Sequence, residues 1–312
     1  MTVKRVKVHE YLGMMIDYSE PGQTKVTMLN YVKEILTAFA KADPKATRTK
    51  SSAAPENLFV VNEECEKLST DKSVQFHNLV AKILYATKID QPDTCTAVTF
   101  LTTRVQEPDL DDWDKLSHMM RYVRGTRHLP LILSTDVTHI LKWWVDSAFA
   151  VHPNMQGHYG GGLLLGRGFP IIGSTKQKLN TRSSTKSEVF GANDYMPPIC
   201  WTRYFLEAQG YCVDDNILYQ DNKSYILLET NGKDSSGKRT QHINIRYFFI
   251  TDRVKKGDVS VVRCRTGDMI ADYATKPFQG SLFKKFRDQI MGVISAIGPG
   301  PRKKAVNKKG NV

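Results

Sequence analysis

The stretch Trp143-Trp144-Val145-Asp146-Ser147-Ala148-Phe149-Ala150 constrains this chain most. With Ile140 and Leu141 before it, the stretch reads as a central β-strand, apolar and aromatic on both faces as a doubly covered strand should be. Asp146 stands in its middle. A buried carboxylate is costly unless a cation, a hydrogen-bond network or a metal compensates it. Three further acids downstream favour the metal.

The chain around this strand divides in two. Tyr11-Leu12-Gly13-Met14-Met15-Ile16-Asp17-Tyr18 reads as a strand ending at a Pro21-Gly22 turn. Apolar residues at helical spacing then predict amphipathic helices over about 27–41, 74–85, 94–104 and 111–124, with a long polar loop over 43–73. The first 130 residues are therefore expected to be mostly helical, with charges on solvated helix faces. Strand patterns follow over 139–149, 158–166 and 169–175, with Gly157, Gly160, Gly161, Gly162, Gly166 and Gly168 read as turns or bulges. A helix over 184–209, a short strand at 217–220, helices over 224–229 and 243–255, a strand at 259–264 and a final helical part from 269 complete the series. This alternation predicts an α/β fold with a mixed sheet and helices on its faces. Pro197-Pro198 falls inside the long helix and is expected to kink or break it. Residues 231–241 are basic and Gly/Ser-rich and are expected to be a loop, and the tail over 296–312 is basic and expected to be disordered.

Composition narrows the partners. A formal net charge of +12 on 312 residues suits a polyanion, nucleic acid first, although a solvated basic surface would look the same. No apolar run is long enough to span a bilayer, and no secretory signal core follows the N-terminus. The expectation is an intracellular protein, cytoplasmic or nuclear, with no membrane and no small-molecule cofactor. Five scattered cysteines without a C-x-x-C pair argue against a disulfide framework or a zinc site.

Four acids fall at matching places: Asp146 in the first strand of the second half, Glu188 in the first turn of the long helix, Asp221 at the end of the fourth strand, Asp272 in the last helical part. Each has a bland alternative. Thr185-Lys186-Ser187-Glu188 fits a capping box, Asp221-Asn222 fits an Asx-turn, and Asp272 could be a surface charge. Carboxylates gathered at one sheet edge cannot all stay ionised without cations. Hard oxygen ligands suit Mg²⁺ or Mn²⁺, and two such ions about 4 Å apart support phosphodiester cleavage.

Residues 140–293 resemble the ribonuclease H domain of copia-type (Pseudoviridae) retrotransposon Pol polyproteins. The resemblance is carried by Trp144-Val145-Asp146-Ser147-Ala148, Ser174-Thr175-Lys176-Gln177-Lys178, Thr181-Arg182-Ser183-Ser184-Thr185-Lys186-Ser187-Glu188, Tyr219-Gln220-Asp221-Asn222, Lys238-Arg239-Thr240-Gln241-His242-Ile243 and Ala271-Asp272-Tyr273-Ala274-Thr275-Lys276-Pro277. Residues 1–135 resemble the reverse-transcriptase thumb and connection, through Tyr11-Leu12-Gly13, Ala81-Lys82-Ile83-Leu84-Tyr85 and Arg121-Tyr122-Val123-Arg124-Gly125-Thr126. The resemblance implies a ribonuclease H-like five-stranded mixed sheet over 136–295, preceded by a reverse-transcriptase remnant, and metal-dependent cleavage of the RNA strand of RNA–DNA hybrids. Asp146 would bridge two Mg²⁺ ions, Glu188 and Asp221 would hold one, and Asp272 the other. Lys176, Lys178, Arg182, Ser183, Ser184, Asn222, Lys238 and Arg239 would meet the nucleic acid, and the remainder of the Pol polyprotein would be a partner.

The chain departs from the family in places. No stretch of it is read as fingers or palm, so it is not expected to polymerise DNA alone. Tyr211-Cys212-Val213-Asp214-Asp215 has one residue too many for the polymerase motif and reads as a decoy. Residues 265–271 lack the histidine common before the last acid, and His242 is given no proton-transfer role. Asp90-Gln91-Pro92-Asp93 stands where Arg-Pro-Asp is usual. Without its polymerase partner the first half could expose apolar surface. A non-enzymatic nucleic-acid-binding relic of a retroelement is the rival reading.

Overall fold

The computed structural model describes residues 6–222 and 249–296. Lys238, Arg239, His242, the 224–229 helix, the 231–241 loop, the start of the 243–255 helix and the tail from 297 lie outside the described residues.

Residues 8–17 form a hairpin rather than one strand: β1 (Val8–Tyr11) and β2 (Met14–Asp17) pair antiparallel. Leu12 and Gly13 between them both take positive φ, 51° and 79°, the twist that a two-residue hairpin turn requires. Gly13 was the sequence signal for this reversal. β3 (Thr24–Thr27) follows, then α1 (Leu29–Ala42), α2 (Thr70–Thr87), α3 (Cys95–Thr102) and α4 (Leu110–Thr126). The apolar spacing that predicted the helices is what they bury, as with Val32, Ile35, Leu36 and Phe39 on α1. Asp109 caps α4 in a reciprocal box with Asp112, and Arg104 pairs with both carboxylates.

β4 (Leu131–Thr135) closes onto β3, so β1-β2-β3-β4 and the short β7 (Gly166–Arg167) make one antiparallel sheet. The second sheet comprises β5 (Ile140–Ala148), β6 (His158–Leu164), β8 (Ile171–Lys176), β9 (Asp215–Gln220) and β10 (Ser260–Arg263), in the order β10-β9-β5-β6-β8. β5, β6 and β8 run antiparallel, while β9 and β10 run parallel to β5. This is the mixed five-stranded sheet with flanking helices that the ribonuclease H resemblance implied.

Alternate residues of β5 face opposite layers. Trp143 and Val145 pack under α5 (Ser184–Ala208) with Val189, Met196 and Ile199. Trp144 joins a core that runs without interruption from α1–α4 to Met269, Tyr273 and α6 (Gly280–Ile290). Pro197 and Pro198 do not break α5, contrary to expectation. They fall between the buried pairs Tyr195/Met196 and Ile199/Cys200. The carbonyls they leave unpaired therefore lie towards solvent, where water can satisfy them.

Gly160, Gly161 and Gly162 are not turns or bulges; they lie in regular pairing within β6. A Cβ on Gly160 would stand 2.4 Å from the Ala274 Cβ, so close approach is the reason for glycine there. Apolar side chains are exposed in the first half, among them Tyr11 and Leu12 of the hairpin, Val60 and Val74. All five cysteines are free. Among the described residues no helix is long and apolar enough to cross a membrane.

Candidate metal centre

β5 carries Asp146 near its C-terminal end, paired with Gly160 of β6. β9 runs parallel beside it, with Trp144 opposite Tyr219, so Asp221, just beyond β9, emerges at the same sheet edge. Ser183 caps α5 by accepting a hydrogen bond from the Lys186 backbone N–H. This overturns the capping-box alternative for Glu188, which lies two residues past the capped turn. The result is a cluster in which one carboxylate oxygen each from Asp146, Glu188 and Asp221 lie within 4.8 Å of one another. Asp146 and Glu188 are 3% and 5% exposed.

Asp272 comes from outside the sheet. It sits in a 3₁₀ turn, Ile270–Ala274, rather than in a helix proper, and is buried. Thr275 donates from Oγ1 to Asp146 Oδ2. Lys276 places Nζ 2.8 Å from Asp272 Oδ1 and 3.7 Å from Asp146 Oδ2. Gln220 donates from Nε2 to Glu188 Oε2 at 3.3 Å, and Thr266 donates to Asp221 Oδ2 at 3.4 Å.

The electrostatics follow from crowding. Burial, then the charges of Asp146 and Asp221, push Glu188 well above the usual carboxylate range. Burial and Asp146 raise Asp221 as well, and burial and Asp146 hold Asp272 at about 7. Burial pulls the Lys276 ammonium down, but Asp146, Asp272 and Asp221 outweigh it and hold Lys276 above its ordinary value. These groups are hard oxygen donors with unmet negative charge, the donor set that Mg²⁺ or Mn²⁺ takes. The residues present therefore fit a divalent metal.

The basic candidates flank this edge. Lys176 ends β8, Lys178, Arg182 and Ser184 are exposed before and at the start of α5, Ser183 is the cap, and Asn222 follows Asp221 half-buried. Buried Gln177 fixes the connection: its Nε2 donates to Ser147 Oγ and Ser187 O, and Ser187 Oγ donates to its Oε1. The decoy segment lies away from the cluster, ahead of β9. The roles of Gln177 and Gln220 were not legible in the sequence. Thr275 and Lys276 belonged to a quoted motif, and the i,i+4 spacing of Asp272 and Lys276 was the available signal for their contact.

Comparison with known proteins agrees with the motifs. The chain is 24% identical over 265 residues to the retrovirus-related Pol polyprotein from transposon TNT 1-94 of Nicotiana tabacum, covering 83% of this chain and 20% of that protein. It is 29% identical over 222 residues to that from transposon RE2 of Arabidopsis thaliana, covering 70% and 15%. Transposon RE1 of the same plant gives 25% over 286 residues, covering 91% and 19%. The chain thus spans a fifth or less of the length of these curated relatives. No protein-family model matches it. Among solved structures, ribonuclease H1 from Halobacterium salinarum NRC-1 aligns with 44% of this chain and 94% of its own at 14% identity and a TM-score of 0.30. Prototype foamy virus protease-reverse transcriptase aligns with 49% and 20% at 9% identity and a TM-score of 0.28. The relationship to plant copia-type Pol polyproteins rests on the sequence relatives, not on these structures.

Proposed function

We propose, from that relationship, that the chain is the ribonuclease H part of a retroelement polyprotein and hydrolyses the RNA strand of RNA–DNA hybrids. The observation that carries the reading is the convergence of Asp146, Glu188 and Asp221 within 4.8 Å, with Asp272 raised to about 7 by burial and by the Asp146 charge. Two Mg²⁺ ions, or Mn²⁺, would supply an activated water and neutralise the departing 3′-oxygen. Asp146 would serve both ions, Glu188 and Asp221 would hold one, and Asp272 the other. Gln220 orients Glu188 and Thr275 orients Asp146. Lys276 stands in for cation charge and would yield its place. Lys176, Lys178, Arg182, Ser183, Ser184 and Asn222 would meet phosphates and ribose 2′-hydroxyls. Working partners are the hybrid and the rest of the polyprotein, inside the cell.

A panel of labelled substrates tests this. The reading predicts Mg²⁺-dependent cutting of the RNA strand of a hybrid, leaving 3′-hydroxyl and 5′-phosphate ends, with duplex DNA intact and no cutting in EDTA. Equal cutting of duplex DNA would contradict the assigned substrate. One observation favours a second reading: the Lys276 ammonium, 2.8 Å from Asp272, already gives the cluster a resident cation. A relic of that kind would bind hybrid in a salt-sensitive manner without turnover.

A further inference from the structure

The geometry points to a second metal site at the opposite edge of the β5–β9 pair, formed by His139, Cys212 and Asp214 and suited to a borderline ion such as Zn²⁺. The carboxylate cluster lies at the C-terminal ends of these parallel strands. His139 immediately precedes β5 and Asp214 immediately precedes β9, and Ile140 pairs with Asp215. The backbone joins the two ligand-bearing segments directly, because the Asp214 N–H donates to the His139 carbonyl at 3.0 Å.

One ligand atom from each of the three side chains lies within 4.8 Å of the others. The Cys212 thiol donates to Asp214 Oδ1 at 3.2 Å, and His139 Nδ1 stands 3.9 Å from Asp214 Oδ2. Ligands about 2.0–2.3 Å from a tetrahedral zinc stand roughly 3.3–3.8 Å apart; the thiol and the imidazole stand just outside that range, each from a different oxygen of Asp214. A thiolate, an imidazole and a carboxylate together select Zn²⁺ over Mg²⁺. Binding would send the Cys212 thiol proton to solvent and leave a fourth position for water. The ion would pin the starts of β5 and β9 together. The segment that mimics a polymerase motif thus acquires a role of its own. No cysteine-spacing rule connects these ligands, because they are a lone cysteine and a histidine far apart in sequence.

Cobalt titration of the whole chain tests the site. Co²⁺ added after EDTA treatment and dialysis should give one equivalent of a thiolate-to-cobalt band in the near ultraviolet, displaced by Zn²⁺. The band should be absent in Cys212→Ser and need at least tenfold more Co²⁺ in His139→Gln and Asp214→Asn. Asp146→Asn should leave it unchanged, which separates this site from the carboxylate cluster. His139 and Asp214 side chains are 55% and 60% exposed, so these variants should keep the parent far-ultraviolet circular dichroism. No band, or equal affinity in His139→Gln, would overturn the proposal.

Discussion

At the scale of single residues, buried charge and buried imidazole set opposite pH responses. His158 donates to or accepts from His152 at 3.0 Å and Ser174 at 2.6 Å. Burial, followed by the His152 charge, lowers His158 to about 3, and burial lowers His152 to about 4. In the unfolded chain these rings take a proton near 6.5. The stability from keeping them neutral is present above that value and is lost as pH falls towards 3. Asp90, raised to about 7, and Asp93, raised to about 6, act in the opposite sense, so the informative quantity is a difference between variants. Between pH 7 and pH 5, His158→Gln should lose about 2 kcal/mol less stability than the parent, read from urea midpoints; equal losses would contradict the assignment. Lys276 gives a second prediction. Lys276→Met removes the cation beside Asp272 and Asp146, and should cost about 1 kcal/mol in EDTA, allowing for its partial exposure. Thermal melting should then show a larger Mg²⁺-induced rise than in the parent, because the metal replaces a missing charge. An unchanged rise would mean that Lys276 does not compete for the site.

At the scale of elements, Gly160 decides whether the Asp272 turn can reach Asp146. It pairs with Asp146 across β5 and β6, and its missing Cβ makes room for Ala274. Gly160→Ala should lower hybrid cleavage at least tenfold while leaving a folded protein, and Ala274→Gly should restore part of it in the double variant. Cleavage equal to the parent in Gly160→Ala would show that the turn does not depend on this contact. The sequence pattern revealed that Gly160–Gly162 were special but not why, because the reason is a side chain far along the chain. The helices of the first half and the strands β5, β6, β8 and β9 were legible, since one-sided burial is written directly in apolar spacing. The hairpin at Leu12–Gly13 was not legible because only its second arm, Met14–Asp17, has an apolar run, while Val8-His9-Glu10-Tyr11 is mixed and largely exposed. Pro197-Pro198 misled because proline's cost depends on which face it occupies. All four acids of the candidate site were named by motif. Gln220 and Gln177 stand inside the quoted motifs, but their contacts to Glu188 and to Ser147 and Ser187 were not legible, because polar residues buried by distant partners carry no local pattern.

At the scale of the molecule, the two halves share one core. Thr96 Oγ1 donates to the Tyr273 carbonyl at 2.5 Å, and Tyr273 OH donates to the Asp93 carbonyl at 2.8 Å. The turn that carries Asp272 therefore rests on α3 and on the residues before it. A fragment beginning at residue 136 should expose Met269, Ile270 and Phe283 and melt at a lower temperature, with less cooperativity, than the whole chain; an unchanged melt would contradict the shared core. The most direct test of the central claim is single-turnover cleavage of a labelled RNA–DNA hybrid by the whole chain and by Asp146→Asn, in Mg²⁺. The account predicts cutting of the RNA strand by the parent and a loss of at least a thousandfold in the variant, with hybrid binding retained. Cutting that survives Asp146→Asn, or its absence in a folded parent that binds hybrid, would contradict the claim that these four acids form a working metal centre.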